Sequence, residues 1–228
     1  MMKVVQCWDD GVVNDIRLAE LCRKYNAKAT FNLNPGLMAP ERKPSRWKTV
    51  GEQVWGHHGY CAGKIGLDEL VEVLDGFQVA SHNWKHEGAG HVPDQVFIQS
   101  ALDARHYLED IFQRECLGFA WPGGGYTPET MKLLHEAGFA YARTTRYTDN
   151  VTAYEDPMAL HSNCHFMDPN FIQKYENAKK FGVFYFWGHS YEMYEYEPLW
   201  QQFEDKLNYI AQDKDSEWAD VIDIVKKH

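Results

Sequence analysis

Met2-Lys3-Val4-Val5-Gln6-Cys7-Trp8-Asp9-Asp10-Gly11 carries an apolar run straight into two adjacent carboxylates and a glycine. The run reads as a strand. In a regular strand neighbouring side chains point to opposite faces, so Asp9 and Asp10 should diverge. Gly11 lets the backbone turn, and the two acids can then converge on one spot at the rim of a sheet. Converged carboxylates repel unless a cation offsets them, and a metal ion is one candidate. The same tripeptide also suits a solvated turn. Which reading holds depends on what else the chain brings to that rim.

Working outward, strand and helix periodicities alternate. A helix is expected over residues 14–25, capped by Asn14, then a strand over 27–33. Pro35, Pro40 and Pro44 mark an irregular stretch, followed by a small hairpin over 47–55 around Gly51. A short helix (67–75), a strand (77–81) and a long helix (95–115) after Asp94 come next. A strand over 117–121 runs into Pro122-Gly123-Gly124-Gly125, and Thr127-Pro128-Glu129 opens a helix that Gly138 ends. Then follow a strand (139–144), strand-like pieces (151–154 and 158–161), a helix (171–180), a strand (183–187) and two helices (198–212 and 216–227). This βαβ spacing implies an α/β fold, a distorted barrel of about seven parallel strands with its site at their C-terminal ends. No linker divides the chain, so residues 1–228 read as one catalytic domain with an insertion at 35–66.

Composition narrows the partners. The chain has 228 residues, enough to bury a sizeable core, and a net charge of −10. That charge argues against nucleic acid or an anionic membrane as partner, and favours a neutral or cationic ligand. Aromatic residues reach 14%; most must pack the core, but several lie where they could line a sugar-binding cleft. Five scattered cysteines without a C-x-x-C pair, and no signal peptide, lead us to expect a reduced, cytoplasmic protein. The apolar stretches are too short to span a bilayer. Oligomeric state is not legible.

The predicted strand ends gather the polar chemistry. Asp9 and Asp10 end the first. His82 and His86 follow the third, in Ser81-His82-Asn83-Trp84-Lys85-His86. Two histidines four apart share one face of a helical turn and can hold one metal, although eleven histidines also produce such a pair by chance. Pro122-Gly123-Gly124-Gly125 follows the next strand, Arg143 ends another, and His189 ends a late one in Trp187-Gly188-His189-Ser190-Tyr191-Glu192. Singly, the glycine run is a tight turn and His189 a packing residue. Their shared rim is what makes them a candidate site.

The order and spacing of these motifs resemble the polysaccharide deacetylase family (NodB-homology, carbohydrate esterase 4 type). The likeness rests on Cys7-Trp8-Asp9-Asp10-Gly11, His82 to His86, Phe119-Ala120-Trp121-Pro122-Gly123-Gly124 and Trp187-Gly188-His189. It implies that Asp10, His82 and His86 bind one divalent metal, most often zinc, with cobalt or nickel as alternatives. It implies Asp9 as general base, His189 as general acid, and the Trp121, Pro122 and Gly123 turn facing the substrate, with the Gly123 N–H on the oxyanion. The implied reaction is hydrolysis of an N-acetyl, less often O-acetyl, group on a carbohydrate. Ala120 departs from the pattern, since many members carry there an Arg that steadies the base; Arg143 could hold Asp9 from a neighbouring strand instead. Trp8 and Cys7 stand where the family usually has Phe and Thr. Glu192 could orient His189, or be a solvated loop residue. The insertion carries Trp47, Trp55, His57, His58 and Tyr60, and is either a wall of the cleft or a surface excursion. His161 and His165 could form a second metal site. Two other readings stay open: a hydrolase of small non-sugar amides such as cyclic ureides, and a non-catalytic carbohydrate-binding relative.

Overall fold

The computed structural model describes residues 1–225. The chain runs β1 (Met2–Asp9), α1 (Asn14–Lys24), β2 (Thr30–Leu33), β3 (Arg46–Trp47), β4 (Tyr60–Cys61), α2 (Leu67–Val73), β5 (Gln78–Ser81), α3 (Asp94–Phe112) and β6 (Gly118–Ala120). It continues through α4 (Pro128–Glu136), β7 (Tyr141–Tyr147), β8 (Leu160–Ser162), β9 (Cys164–His165), α5 (Phe171–Ala178), β10 (Val183–Gly188), α6 (Glu197–Gln212) and β11 (Ser216–Trp218).

Among the described residues one sheet has the order β8-β7-β6-β5-β2-β1-β10-β9, with β11 also paired to β1. Every pairing in it is parallel. The two ends of that order, β8 and β9, are separated in sequence by Asn163 alone, so the chain itself closes the sheet into a barrel. Asn163 bridges the seam: its N–H donates to the Tyr185 carbonyl at 2.7 Å, and its Oδ1 accepts from Tyr185 N at 2.8 Å. β1 is buried along most of its length, as a strand enclosed on both faces must be. Trp8 packs its indole 4.9 Å from Phe166 and 5.1 Å from Phe203, which ties β1 to the β9 loop and α6. No described helix is long and apolar enough to cross a membrane.

The predicted architecture holds, with one more strand than expected around the barrel and β11 besides. Several local expectations are corrected. Asn14 is the first residue of α1 and gives no side-chain cap; its amide donates instead to the Tyr194 carbonyl at 3.0 Å. The insertion hairpin pairs Arg46 with Cys61 and Trp47 with Tyr60, so its turn is far longer than one around Gly51. Val151–Ala153 and Pro157–Ala159 are 3₁₀ turns, because Asn150 and Asp156 cap them through their side chains; strand begins only at Leu160. Of the last expected helix, Ser216–Trp218 is strand and Val221–Ile224 a 3₁₀ turn, while residues 226–227 lie outside the described residues. The Thr127 cap is as expected, accepting from Thr130 N at 3.1 Å.

Candidate active site

The ends of β1, β5, β6, β7 and β10 converge on a cavity of about 570 Å³. Asp9, Asp10, His82, His86, Trp121, Gly123, Arg143 and His189 all line it. The turn after β1 is sharper than one glycine provides. Asp10 itself has φ +84°, and Gly11 follows at +59°. Two successive left-handed residues swing Asp10 round to the side of the rim where Asp9 already points. Gly11 is also crowded: a Cβ there would lie 2.2 Å from the Met38 Cε.

Asp9 is buried. Its Oδ1 accepts from Asn32 Nδ2 at 2.7 Å, and its Oδ2 takes a charge-assisted hydrogen bond from the Arg143 Nη2. Burial disfavours the carboxylate, but Arg143, His82, His189 and the Asn32 hydrogen bond outweigh it and hold the group well below the usual carboxylate range. Arg143 is directly opposite Ala120 in the β6–β7 register. The guanidinium expected at 120 is therefore supplied from across the ladder. It lies 4.3 Å from the Trp187 ring centroid, a face that compensates its partnerless Nε and Nη1.

Asp10 is in a different field. The Lys64 ammonium donates to its backbone carbonyl at 2.5 Å. Burial raises the Asp10 pKa, yet Lys64, His82 and His189 bring the net shift down, so it too is ionised.

His82 follows β5 and is buried, with Nδ1 2.8 Å from the Ala120 carbonyl. A carbonyl only accepts, so Nδ1 carries the proton and Nε2 presents its lone pair. That Nε2 lies 3.9 Å from Asp9 Oδ2 and 3.9 Å from Asp10 Oδ1. Burial above all pushes the imidazole down to about 4, against the pull of the two acids. His82 and His86 do not share a helical turn. They sit on an irregular loop in which Asn83 (φ +64°) and His86 (φ +62°) are left-handed, tied by Asn83 Nδ2 donating to the Glu87 carbonyl at 2.8 Å. The loop still brings the rings to 4.8 Å between centroids. One donor atom each from Asp10, His82 and His86 lie within 4.8 Å of one another. A carboxylate and two imidazoles, one held neutral with its lone pair aimed inward, suit a divalent metal such as zinc.

His189 directly follows β10, with Nε2 3.8 Å from Asp9 Oδ2. Burial works against its charged form, but Glu192, Asp9 and Asp10 outweigh that and raise its pKa. Glu192 Oε2 accepts from the His189 backbone N–H at 3.1 Å and lies 3.5 Å from His189 Nδ1. The same oxygen is 2.8 Å from His165 Nε2. Glu192 is thus built into the site rather than solvated. His161 does not join His165; its Nδ1 is 2.6 Å from the Thr144 hydroxyl.

Pro122–Gly124 forms a 3₁₀ turn with Gly123 at φ +64°. A Cβ on Gly123 would meet nothing within 4 Å, so its backbone is bare toward the cavity. Trp121 is buried, its Nε1 donating to the Met158 carbonyl at 2.8 Å, which makes it a wall rather than a donor to ligand. Trp55 of the insertion and Tyr191 also line the cavity. Sequence reasoning missed Lys64 and Asn32, and paired His165 with His161 where the structure pairs it with Glu192. Asn32 could have been found, since it lies one residue from the end of β2 beside Asp9.

A family model described as polysaccharide deacetylase matches residues 2–142. No curated protein matches the chain. Among solved structures, the chain is similar to the Streptococcus pyogenes deacetylase PplD in complex with acetate, at 19% identity and a TM-score of 0.54 over 69% of this chain and 62% of that one. It therefore spans less than two thirds of that relative's length. A candidate polysaccharide deacetylase from Mycobacterium smegmatis aligns over 98% of this chain and 89% of its own, at 14% identity and a TM-score of 0.64. A family 4 acetyl xylan esterase from Clostridium thermocellum in complex with a cobalt ion aligns over 97% and 90%, at 13% identity and 0.54. At such identities the likeness is one of fold.

Proposed function

The chain belongs to the polysaccharide deacetylase family, and we propose that it is a metal-dependent hydrolase that removes N-acetyl, or O-acetyl, groups from a carbohydrate. The observation that carries this reading is the placing of a buried, ionised Asp9 3.8 Å from His189, beside the donor cluster of Asp10, His82 and His86. Those three residues would hold one divalent ion, most often zinc. Such an ion supplies Lewis acidity, polarising an acyl oxygen and acidifying water.

The remaining roles belong to the chain's own groups. Asp9 Oδ2 takes a proton from the attacking water; its depressed pKa keeps it ready to accept one throughout the neutral range. Arg143 and Asn32 fix its rotamer. The water oxygen adds to the acyl carbon, and the Gly123 N–H donates to the oxyanion that forms. His189, protonated because Glu192, Asp9 and Asp10 favour its charged form, gives its proton to the leaving nitrogen or oxygen as the bond to the acyl carbon breaks. The products are acetate and the free amine or hydroxyl. We read the whole chain as a single catalytic domain, with 35–66 as its insertion.

Ala120 was the sole sequence support for a non-catalytic relative, and Arg143 on the opposing strand answers it. Acetate release from acetylated oligosaccharides, by protein stripped with a chelator and reloaded with zinc or cobalt, tests the proposal. Asp10→Ala and His82→Ala should lose metal and turnover together; Asp9→Asn should keep metal and lose about 10³-fold in kcat. Full metal content and full activity in the first two variants would refute the assignment.

A further inference from the structure

The insertion does more than wall the cleft. Trp55 and Trp47 are among the most exposed large apolar side chains, at 69% and 54%. Single exposed rings need no explanation, but these two belong to one connected set. Trp47 stacks on Tyr194 (5.6 Å, 30°). His57 stacks on the same Tyr194 (5.7 Å, 28°) and leans on Tyr191 at 5.6 Å. Trp55 meets Tyr191 edge-on at 5.8 Å, and Tyr191 stacks on His189 at 4.8 Å. An unbroken ridge of rings thus leads from open surface to the general acid.

The ridge is held, not loose. His57 and Tyr60 exchange two backbone hydrogen bonds of 2.9 Å, Lys48 N donates to the Gly59 carbonyl at 2.8 Å, and the Cys61 thiol donates to the Trp55 carbonyl at 3.3 Å. Tyr60 is buried beneath, its hydroxyl 3.3 Å from Asn14 Oδ1. Within the hairpin Arg46 pairs bidentately with Glu52.

We infer that this ridge binds sugar units flanking the one deacetylated, with Trp55 the platform next to the cavity and Trp47 farther along, so that the substrate is an acetylated oligosaccharide of several units. The inference rests on the deacetylase reading and extends it. A pyranose offers an apolar C–H face that an exposed ring can cover while its hydroxyls stay in water. A small cyclic amide would be enclosed by the cavity and would have no use for rings outside it. The continuity of the ridge with His189 is what assigns it to substrate rather than to a second copy of the chain.

Acetylated chito- and xylo-oligosaccharides of one to five units, with a cyclic ureide as comparison, provide the probes. Turnover is read as kcat and KM, and binding by calorimetry on the full-length Asp9→Asn protein. Wild type should show KM falling about tenfold from one unit to four, with kcat nearly level. In Trp55→Ala, KM for the four-unit sugar should rise about tenfold at retained thermal stability, and the loss should grow with chain length. Trp47→Ala should show a smaller loss, confined to longer sugars. Flat length dependence with acetate still released would overturn the inference and leave the deacetylase reading standing. Trp55-dependent binding of the four-unit sugar to Asp9→Asn without wild-type turnover would do the reverse. Preferred turnover of the ureide, or rings whose loss alters only self-association in light scattering, would also overturn it.

Discussion

Asp9 and Asp10 are the same amino acid one peptide bond apart, and the fields around them differ enough to divide their work. Asp9 faces a guanidinium; Asp10 faces the donor cluster. If the Arg143 ion pair sets the basicity of Asp9, Arg143→Ala should raise the Asp9 pKa and move the acid limb of the kcat/KM profile upward, with kcat/KM down about 10–100-fold at neutral pH. Arg143→Lys should restore part of both. An unmoved acid limb in a folded Arg143→Ala protein would show that the pair is structural only. Glu192 tests the other side. Its carboxylate helps to raise the His189 pKa, and in the proposed mechanism the protonated ring is the active form, so activity should be lost as pH rises through that value. Glu192→Gln removes the charge, and the alkaline limb should shift to lower pH, visible in the same profile; a fixed limb would exclude an electrostatic role. The acids, His82 and His189 were legible in the sequence because each stands at or just past a strand end, where the fold class alone predicts a site; Arg143, expected to end its strand, instead lies inside β7, which runs on to Tyr147. The Lys64 and His165 contacts were not legible. Lys64 reaches Asp10 from the end of the insertion, and His165 on β9 reaches Glu192 just past the end of the neighbouring β10, so both contacts depend on tertiary pairing that no local pattern encodes.

Elements that carry the site are short, and their glycines differ in what they protect. Gly124 has φ +77°, and a Cβ on it would fall 2.2 Å from the Thr145 hydroxyl on β7. Gly125 has φ −79°, and its nearest obstacle is 3.8 Å away. Gly124→Ala should therefore cost about 1–3 kcal/mol of stability and lower kcat more than it raises KM, because the displaced turn carries the Gly123 N–H. Gly125→Ala should do neither; urea unfolding and steady-state kinetics on the two variants decide it. Equal effects would mean that the turn is not what aligns the donor. At this scale the sequence was clear where a cap or breaker is local, as at Thr127 and Gly138. It misled where backbone demand is distant. Along β1, β2 pairs only with Cys7, Trp8 and Asp9, leaving the Met2 to Val4 half of that edge open. Its unpaired carbonyls and amides recruit Ser216–Trp218 as strand, although nothing in that tripeptide distinguishes it from a helical turn.

Across the molecule, one buried carboxyl joins the two loops that hold the proposed catalytic pair, Asp9 and His189. Asp15, at the start of α1, accepts from the Val12 N–H at 2.9 Å with Oδ2 and from the Ser190 hydroxyl at 2.5 Å with Oδ1. Val12 follows the Asp9-Asp10-Gly11 turn, and Ser190 follows His189. Burial pushes the Asp15 pKa up to about 7, against the pull of both hydrogen bonds. An unfolded Asp titrates near 3.9. Between those values the folded chain holds a proton that the unfolded chain has released, so stability declines as pH rises through the window and is lowest above about 7. The full swing from this one group is on the order of 4 kcal/mol. Asp15→Asn is neutral at every pH; its oxygen can still accept one N–H and its amide can donate to Ser190. Below the window the two proteins carry the same charge at this site and should unfold at similar temperatures. From pH 5 to about pH 7 the wild-type Tm should fall steadily relative to the variant, and above that the gap should level off. Thermal unfolding of chelator-treated protein at four or five pH values reads this directly. Parallel Tm curves would mean that Asp15 is ionised in the folded state throughout, its burial fully offset by the two loops it ties together.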